Sequence, residues 1–227
     1  FTNTGAITIG SGRTWAVTGG TLDLSSGTLS GPGTLSVSGA TFLGFSTAAV
    51  PVPLILNAVT IAGDITVPGG QTLTLLGGSS VDNAIINDGT LQLNGTVALN
   101  QALTNAATGT ILLQGTVAFN GALTTAAGSV LRAGGLAGPT VLTVATGFTN
   151  HGTLELTSTT LGYAAQLTVT TGTLVNAADG TFSSLPGAGG ARTLAAELNN
   201  QGTLTLSAAL TLSRAGAAHT NSVAVTL

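Results

Sequence analysis

Cysteine, methionine and lysine are absent from these 227 residues, and charge of either sign is scarce: four arginines and seven acids, 5% of the chain. Each absence removes a class of chemistry. Without cysteine there is no disulfide, no thiolate nucleophile and no cysteine-based zinc site. A typical domain is about 25% charged, so the surface here has to be built of Thr, Ser, Asn, Gln and exposed Ala or Gly. The formal net charge is −3, and Arg13, Arg132, Arg192 and Arg214 stand far apart in sequence. No basic stripe for phosphates results, and nucleic acid is not an expected partner. The most apolar run, Ala48 to Leu56, is too short for a bilayer and contains Pro51 and Pro53, so no membrane span is expected. Aromatic residues are thin as well. Trp15 and Tyr163 are the single Trp and Tyr, with no row of rings to stack on sugars or bases.

What is present is repetition. The stretch Asn94 to Ala107 (NGTVALNQALTNAA) returns as Gln114 to Ala127 (QGTVAFNGALTTAA), with most positions identical at a constant offset. Within each unit the pattern alternates: Leu91 and Leu93 point one way, Thr90 and Gln92 the other. The same arrangement recurs at Leu35 and Val37, Leu73 and Leu75, Leu154 and Leu156, and Leu204 and Leu206. One such coil cannot bury its apolar face alone. Stacked coils can, with backbone hydrogen bonds running from rung to rung about 4.8 Å apart. A marker runs along the chain: a glycine before an alternating strand, often with Asn two positions earlier, at Gly5, Gly33, Gly89, Gly109, Gly128, Gly152, Gly180 and Gly202. The intervals between these glycines are similar except for the one from Gly33 to Gly89, which is twice as long as its predecessor and reads as two rungs. The glycine after Asn is expected to supply positive φ at a corner. The expected fold is all-β: one single-stranded parallel β-helix over residues 1–227, of about ten rungs of roughly 19–28 residues, without helix. Irregular loops are expected near 39–53 and 185–192, where Pro and Gly interrupt the pattern.

The recurring G-T-L-x-L strands with N-x-G corners, and in particular Gly31-Pro32-Gly33-Thr34-Leu35-Ser36-Val37-Ser38-Gly39, resemble the autotransporter-associated β-strand repeats and, more loosely, secreted adhesins of the filamentous-haemagglutinin type. The resemblance covers most of the chain as a pattern. It implies a right-handed solenoid outside a bacterial cell, secreted or on its surface, acting as a stalk, adhesin or matrix fibre. It carries over no catalytic residue and no cofactor, since that family has no shared catalytic set.

Each candidate for chemistry has a plainer reading beside it. His151 lies beside Asn150 and near Glu155, yet its position between Asn and Gly is held by Thr4, Asp88 and Gln201 in other coils, as befits a solvated turn. His219 has no acidic neighbour in sequence, and two distant histidines make a zinc site improbable. Asp64, Asp82 and Asp88 fall close together in sequence and would have to meet on adjacent rungs to serve a glycan lyase or hydrolase, but Asp88 and Asp179 sit at turn positions that other coils fill with neutral residues. No calcium-binding G-G-x-G-x-D repeat occurs. The pairs Thr72 and Thr74, Thr168 and Thr170, and Thr203 and Thr205 invite an ice-binding reading, broken by Gln92, Leu112 and Glu155 at the equivalent position elsewhere. Asn94-Gly95-Thr96 matches the N-glycosylation pattern, a short signal of little weight in a bacterial protein.

The expected function is therefore non-enzymatic: an extracellular structural or adhesive repeat segment, with catalytic, cofactor and metal sites all expected to be absent. A glycan-active β-helix enzyme is the alternative, and an ice-binding solenoid a more distant one. The opening FTNTGAITIG already carries the repeat, so a leader is expected to have been removed or to lie outside this stretch. Neither Phe1 to Ile9 nor Ser222 to Leu227 carries a charged or helical cap. Either copies associate head to tail or the solenoid continues beyond this stretch. A surface glycan or protein is the other partner to expect.

Overall fold

The alternation of apolar and polar residues resolves, in the computed structural model, into three parallel ladders that form the three faces of a solenoid; the described residues are 1–43, 52–135, 137–223, 225 and 226. The chain among these is all-β and contains no helix. Every strand pairing among the described residues is parallel, and it joins a strand to the equivalent strand of an adjoining coil, as stacked coils require.

The first ladder runs from Thr14–Thr18 through Thr34–Ser38, Leu54–Asn57, Thr72–Leu76 and on to Val225–Thr226. Its inward column reads Trp15, Leu35, Leu54, Leu73, Leu91, Ile111, Leu131, Leu154, Phe182, Leu204 and Val225, which makes ten turns. The second ladder carries Phe42, Val81, Leu99, Phe119, Val144 and Val169 inward, and the third Ile65, Ile85, Leu103 and Leu123. All of these but Trp15 and Val225 are buried, so the core is a continuous apolar column rather than a globule.

Three expectations need correction. The interval from Gly33 to Gly89 holds three coils, not two, since Leu35, Leu54, Leu73 and Leu91 are successive members of one column. The two middle coils went unseen because Val52 and Gln71 stand where the glycine marker was sought. Secondly, the glycines that mark the start of each alternating strand do not supply positive φ; among Gly5, Gly33, Gly89, Gly109, Gly128, Gly152, Gly180 and Gly202 only Gly128 has it. Positive φ belongs to the next corner, at Gly95 and Gly115 (φ 90° and 97°), where the strands Thr90–Leu99 and Thr110–Phe119 bend from the first face to the second. Thirdly, of the loop expected at 39–53, residues 44–51 lie outside the described residues, while Thr41–Leu43 is a strand of the second ladder paired on both sides. The 185–191 segment carries no strand, but Arg192 is the first residue of the strand Arg192–Asn200.

Candidate functional site

The corner between the third and first faces is where polar chemistry enters the interior. Asn87, Asn105, Thr125, Asn150, Asn176 and Asn200 form an inward column at the end of the third ladder, each at most 1% exposed. Their side chains bond from coil to coil. Asn87 Nδ2 donates to Asn105 Oδ1 (2.8 Å), Asn150 Nδ2 to Asn176 Oδ1 (2.9 Å), Asn176 Nδ2 to Asn200 Oδ1 (2.8 Å) and Asn200 Nδ2 to Asn221 Oδ1 (2.6 Å). The same Nδ2 groups also reach backbone carbonyls of the following strand, Thr110 from Asn87 and Thr203 from Asn176. Thr125 interrupts the amides and continues the chain through Oγ1, which donates to Asn150 Oδ1 at 3.0 Å. A buried carboxamide has two donors and an acceptor to satisfy, and stacking identical residues satisfies them repeatedly.

The glycines that follow serve this corner by their lack of a side chain. A Cβ at Gly109 would collide with Asn87 O and Asn105 Oδ1, and one at Gly180 with Asn150 O and Asn176 Oδ1. Close approach of backbone, not a left-handed turn, is what demands glycine here.

The candidate catalytic acids are each bonded to a different neighbour. Asp64 Oδ1 accepts from the Ala84 amide (3.1 Å), Asp82 Oδ1 from Asn100 Nδ2 (2.5 Å), and the carbonyl of Asp88 from the Thr108 hydroxyl (2.7 Å). Asn120 extends the Asp82–Asn100 contact by donating to Asn100 Oδ1, giving a second, exposed polar ladder. His151 Nδ1 lies 2.8 Å from Asp179 Oδ1 on the next coil, both about half exposed. That pairing escaped sequence reading, although the separation of the two in sequence is one coil length. His219 Nδ1 accepts from the Leu198 amide at 3.3 Å. Trp15 packs edge-on against Phe1, ring centres 5.4 Å apart. Among the described residues no three of His, Asp and Glu come together in the manner of a metal site.

The threonine pairs do not build a two-column array. The middle column of the first face, opposite in facing to the core, reads Thr74, Gln92, Leu112, Arg132, Glu155, Ser183 and Thr205, with Ser183 itself buried. Within it the Arg132 Nε donates to Glu155 Oε2 on the adjoining coil. Asp23 at the first coils is held below the usual carboxylate range by the Ser25 hydroxyl and, in second place, the Ser25 amide.

Arg192 is the residue sequence reading missed altogether. It points inward, 1% exposed, and no carboxylate pairs with it among the described residues. Its Nε donates to Leu185 O (2.9 Å), Nη1 to Tyr163 O (3.3 Å) and Ala191 O (3.2 Å), and Nη2 to Pro186 O (2.8 Å), Gly189 O (2.9 Å) and Ser158 Oγ (3.3 Å). Burial pushes its pKa below the ordinary arginine value. The guanidinium thereby ties the 185–191 segment to the coil before it.

In comparisons with known proteins, no family model, no curated protein and no solved structure matches the chain. The sequence resemblance to bacterial surface repeats thus remains one of pattern, and what stands established is an all-β parallel β-solenoid of about ten turns built on an internal repeat.

Proposed function

We propose that the chain is a structural or adhesive rod of a bacterial exterior, secreted or displayed at the surface, and not an enzyme. The observation that carries this reading is the continuity of the first ladder across ten turns beneath an almost uncharged exterior of Thr, Ser, Asn and Gln. A cross-section that repeats coil after coil suits a spacer whose length matters. The carboxylates, each occupied by a different neighbour, fit a glycan-cleaving site poorly. The broken middle column on the first face fits a lattice of ordered water poorly as well.

Association of copies head to tail, or continuation in a longer solenoid, belongs to the same proposal; with 5% charged residues, little repulsion keeps copies apart. The test is an assay of reducing-end release over a panel of bacterial and plant polysaccharides, run beside Asp82→Asn and Asp179→Asn. No turnover is expected. Turnover that either substitution abolishes overturns the rod in favour of a glycan-active enzyme. Surface labelling of the source cells with an antibody to the folded chain checks the location, and electron microscopy at micromolar concentration distinguishes filaments from monomers.

A further inference from the structure

The repeat changes shape at one place on the first face. Asn94 and Gln114 are stacked in register at the bend from the first face to the second; on the next coil the register runs to Ala133 opposite Leu113, and Gly134, which pairs with Thr157, comes directly after it. A hollow of about 90 Å³ lies there, bordered by Leu112, Gln114, Arg132 and Thr159. It adjoins, across Gln114, a second hollow of about 250 Å³ between Asn94 and the Ala137–Gly138 backbone. Each alone is smaller than a small-ligand site of about 300–1,000 Å³, so an extended ligand would have to lie across both, over Gln114.

The polar groups bordering this space retain bonding capacity. Arg132 is anchored through Nε on Glu155, and among the described residues neither of its Nη groups has a hydrogen-bond partner. The carboxamides of Asn94 and Gln114 likewise have none among the described residues, unlike the amides of the inner column. A carboxamide presents a donor and an acceptor side by side, and a guanidinium presents paired donors in one plane. Adjacent hydroxyl groups, each able to donate and accept, are the complement of that set.

We propose that these adjoining hollows form a binding site for the vicinal hydroxyls of a neutral polysaccharide, with Asn94, Gln114 and Arg132 as its hydrogen-bonding residues. The proposal rests on the adhesive reading above and names its partner. Glu155 neutralises the guanidinium, so the site holds no surplus positive charge for an acidic sugar. A peptide is the poorer fit. The strand Thr110–Phe119 is already paired on both sides, leaving no edge for strand addition, and Leu112 is the one large apolar side chain facing outward there.

The whole chain is titrated with neutral linear glucan, mannan and galactan hexasaccharides, and with hexagalacturonate, followed by saturation-transfer NMR and calorimetry. At least one neutral hexasaccharide binds, Gln114→Ala and Arg132→Met each weaken it about tenfold, as loss of one strong hydrogen-bond pair does, and Thr124→Ala on the third face changes nothing. Absence of binding to every neutral hexasaccharide overturns the site, as does equal affinity in all variants or tighter binding of hexagalacturonate. Should Arg132→Met melt early, Gln114→Ala decides alone, since that side chain makes no hydrogen bond among the described residues. No binding leaves the rod reading standing, whereas release of reducing ends refutes the rod whatever binds.

Discussion

A single buried side chain in this solenoid is judged by its neighbours one coil above and below. Ser184 stands in an inward column between Leu156 and Leu206, fully buried, and its hydroxyl has no partner among the described residues. Ser184→Ala removes an unsatisfied group at little cost in volume, and a gain of about 1 kcal/mol is expected in urea unfolding. Asn176 is the opposite case. It accepts from Asn150 and donates to Asn200, so Asn176→Ala orphans a buried carbonyl oxygen and leaves a void, with an expected loss of about 2–4 kcal/mol in the same measurement. The free end of the amide column shows what an unmatched neighbour does. Asn87 Oδ1 is buried without a donor among the described residues, because Val67 occupies the equivalent position one coil earlier.

At the scale of the element, a strand or corner here answers to close approach between coils. Gly180→Ala drives a Cβ into Asn150 O and Asn176 Oδ1, and an expected destabilisation of about 1–3 kcal/mol, read from the thermal midpoint, checks that packing rather than φ selects glycine. The segment 185–191 depends on Arg192. Arg192→Met is expected to leave the far-ultraviolet spectrum intact and to open 185–191 to limited proteolysis; resistance equal to the parent refutes the tether. The sign of its pH dependence follows from burial. The folded state holds the guanidinium proton less tightly than the unfolded, so stability rises with pH only between the folded and unfolded pKa values, and from about pH 5 to 9 the difference between parent and variant stays flat. The strands themselves were legible in the sequence, since period-2 alternation at Thr90 to Leu93 and its counterparts dictates which face is buried. The amide column was visible only as a recurring Asn, because satisfaction between coils needs the register. Arg192 gave no signal, an arginine being a surface residue by default. His151 and Asp179 meet only once coil lengths are known.

For the whole molecule, the decisive fact is that strands pair only with those of the adjacent coils, so coils differ in strength without changing the plan. The shortest step along the first column runs from Leu73 to Leu91 and the longest from Leu154 to Phe182. This unevenness has a mechanical consequence. Drawn out by its two ends in optical tweezers, the solenoid unwinds as a spool does, giving up one coil per yielding event and not the whole body at once. Each event releases the thread of one coil, about 60–100 Å at roughly 3.3–3.6 Å per residue, and the trace is a sawtooth of unequal teeth. The widest tooth belongs to the coil from Leu154 to Phe182. A single cooperative rip spanning all ten turns contradicts this. A thread that comes off turn by turn takes up load over a long travel, and the unequal coil lengths set how far each step yields.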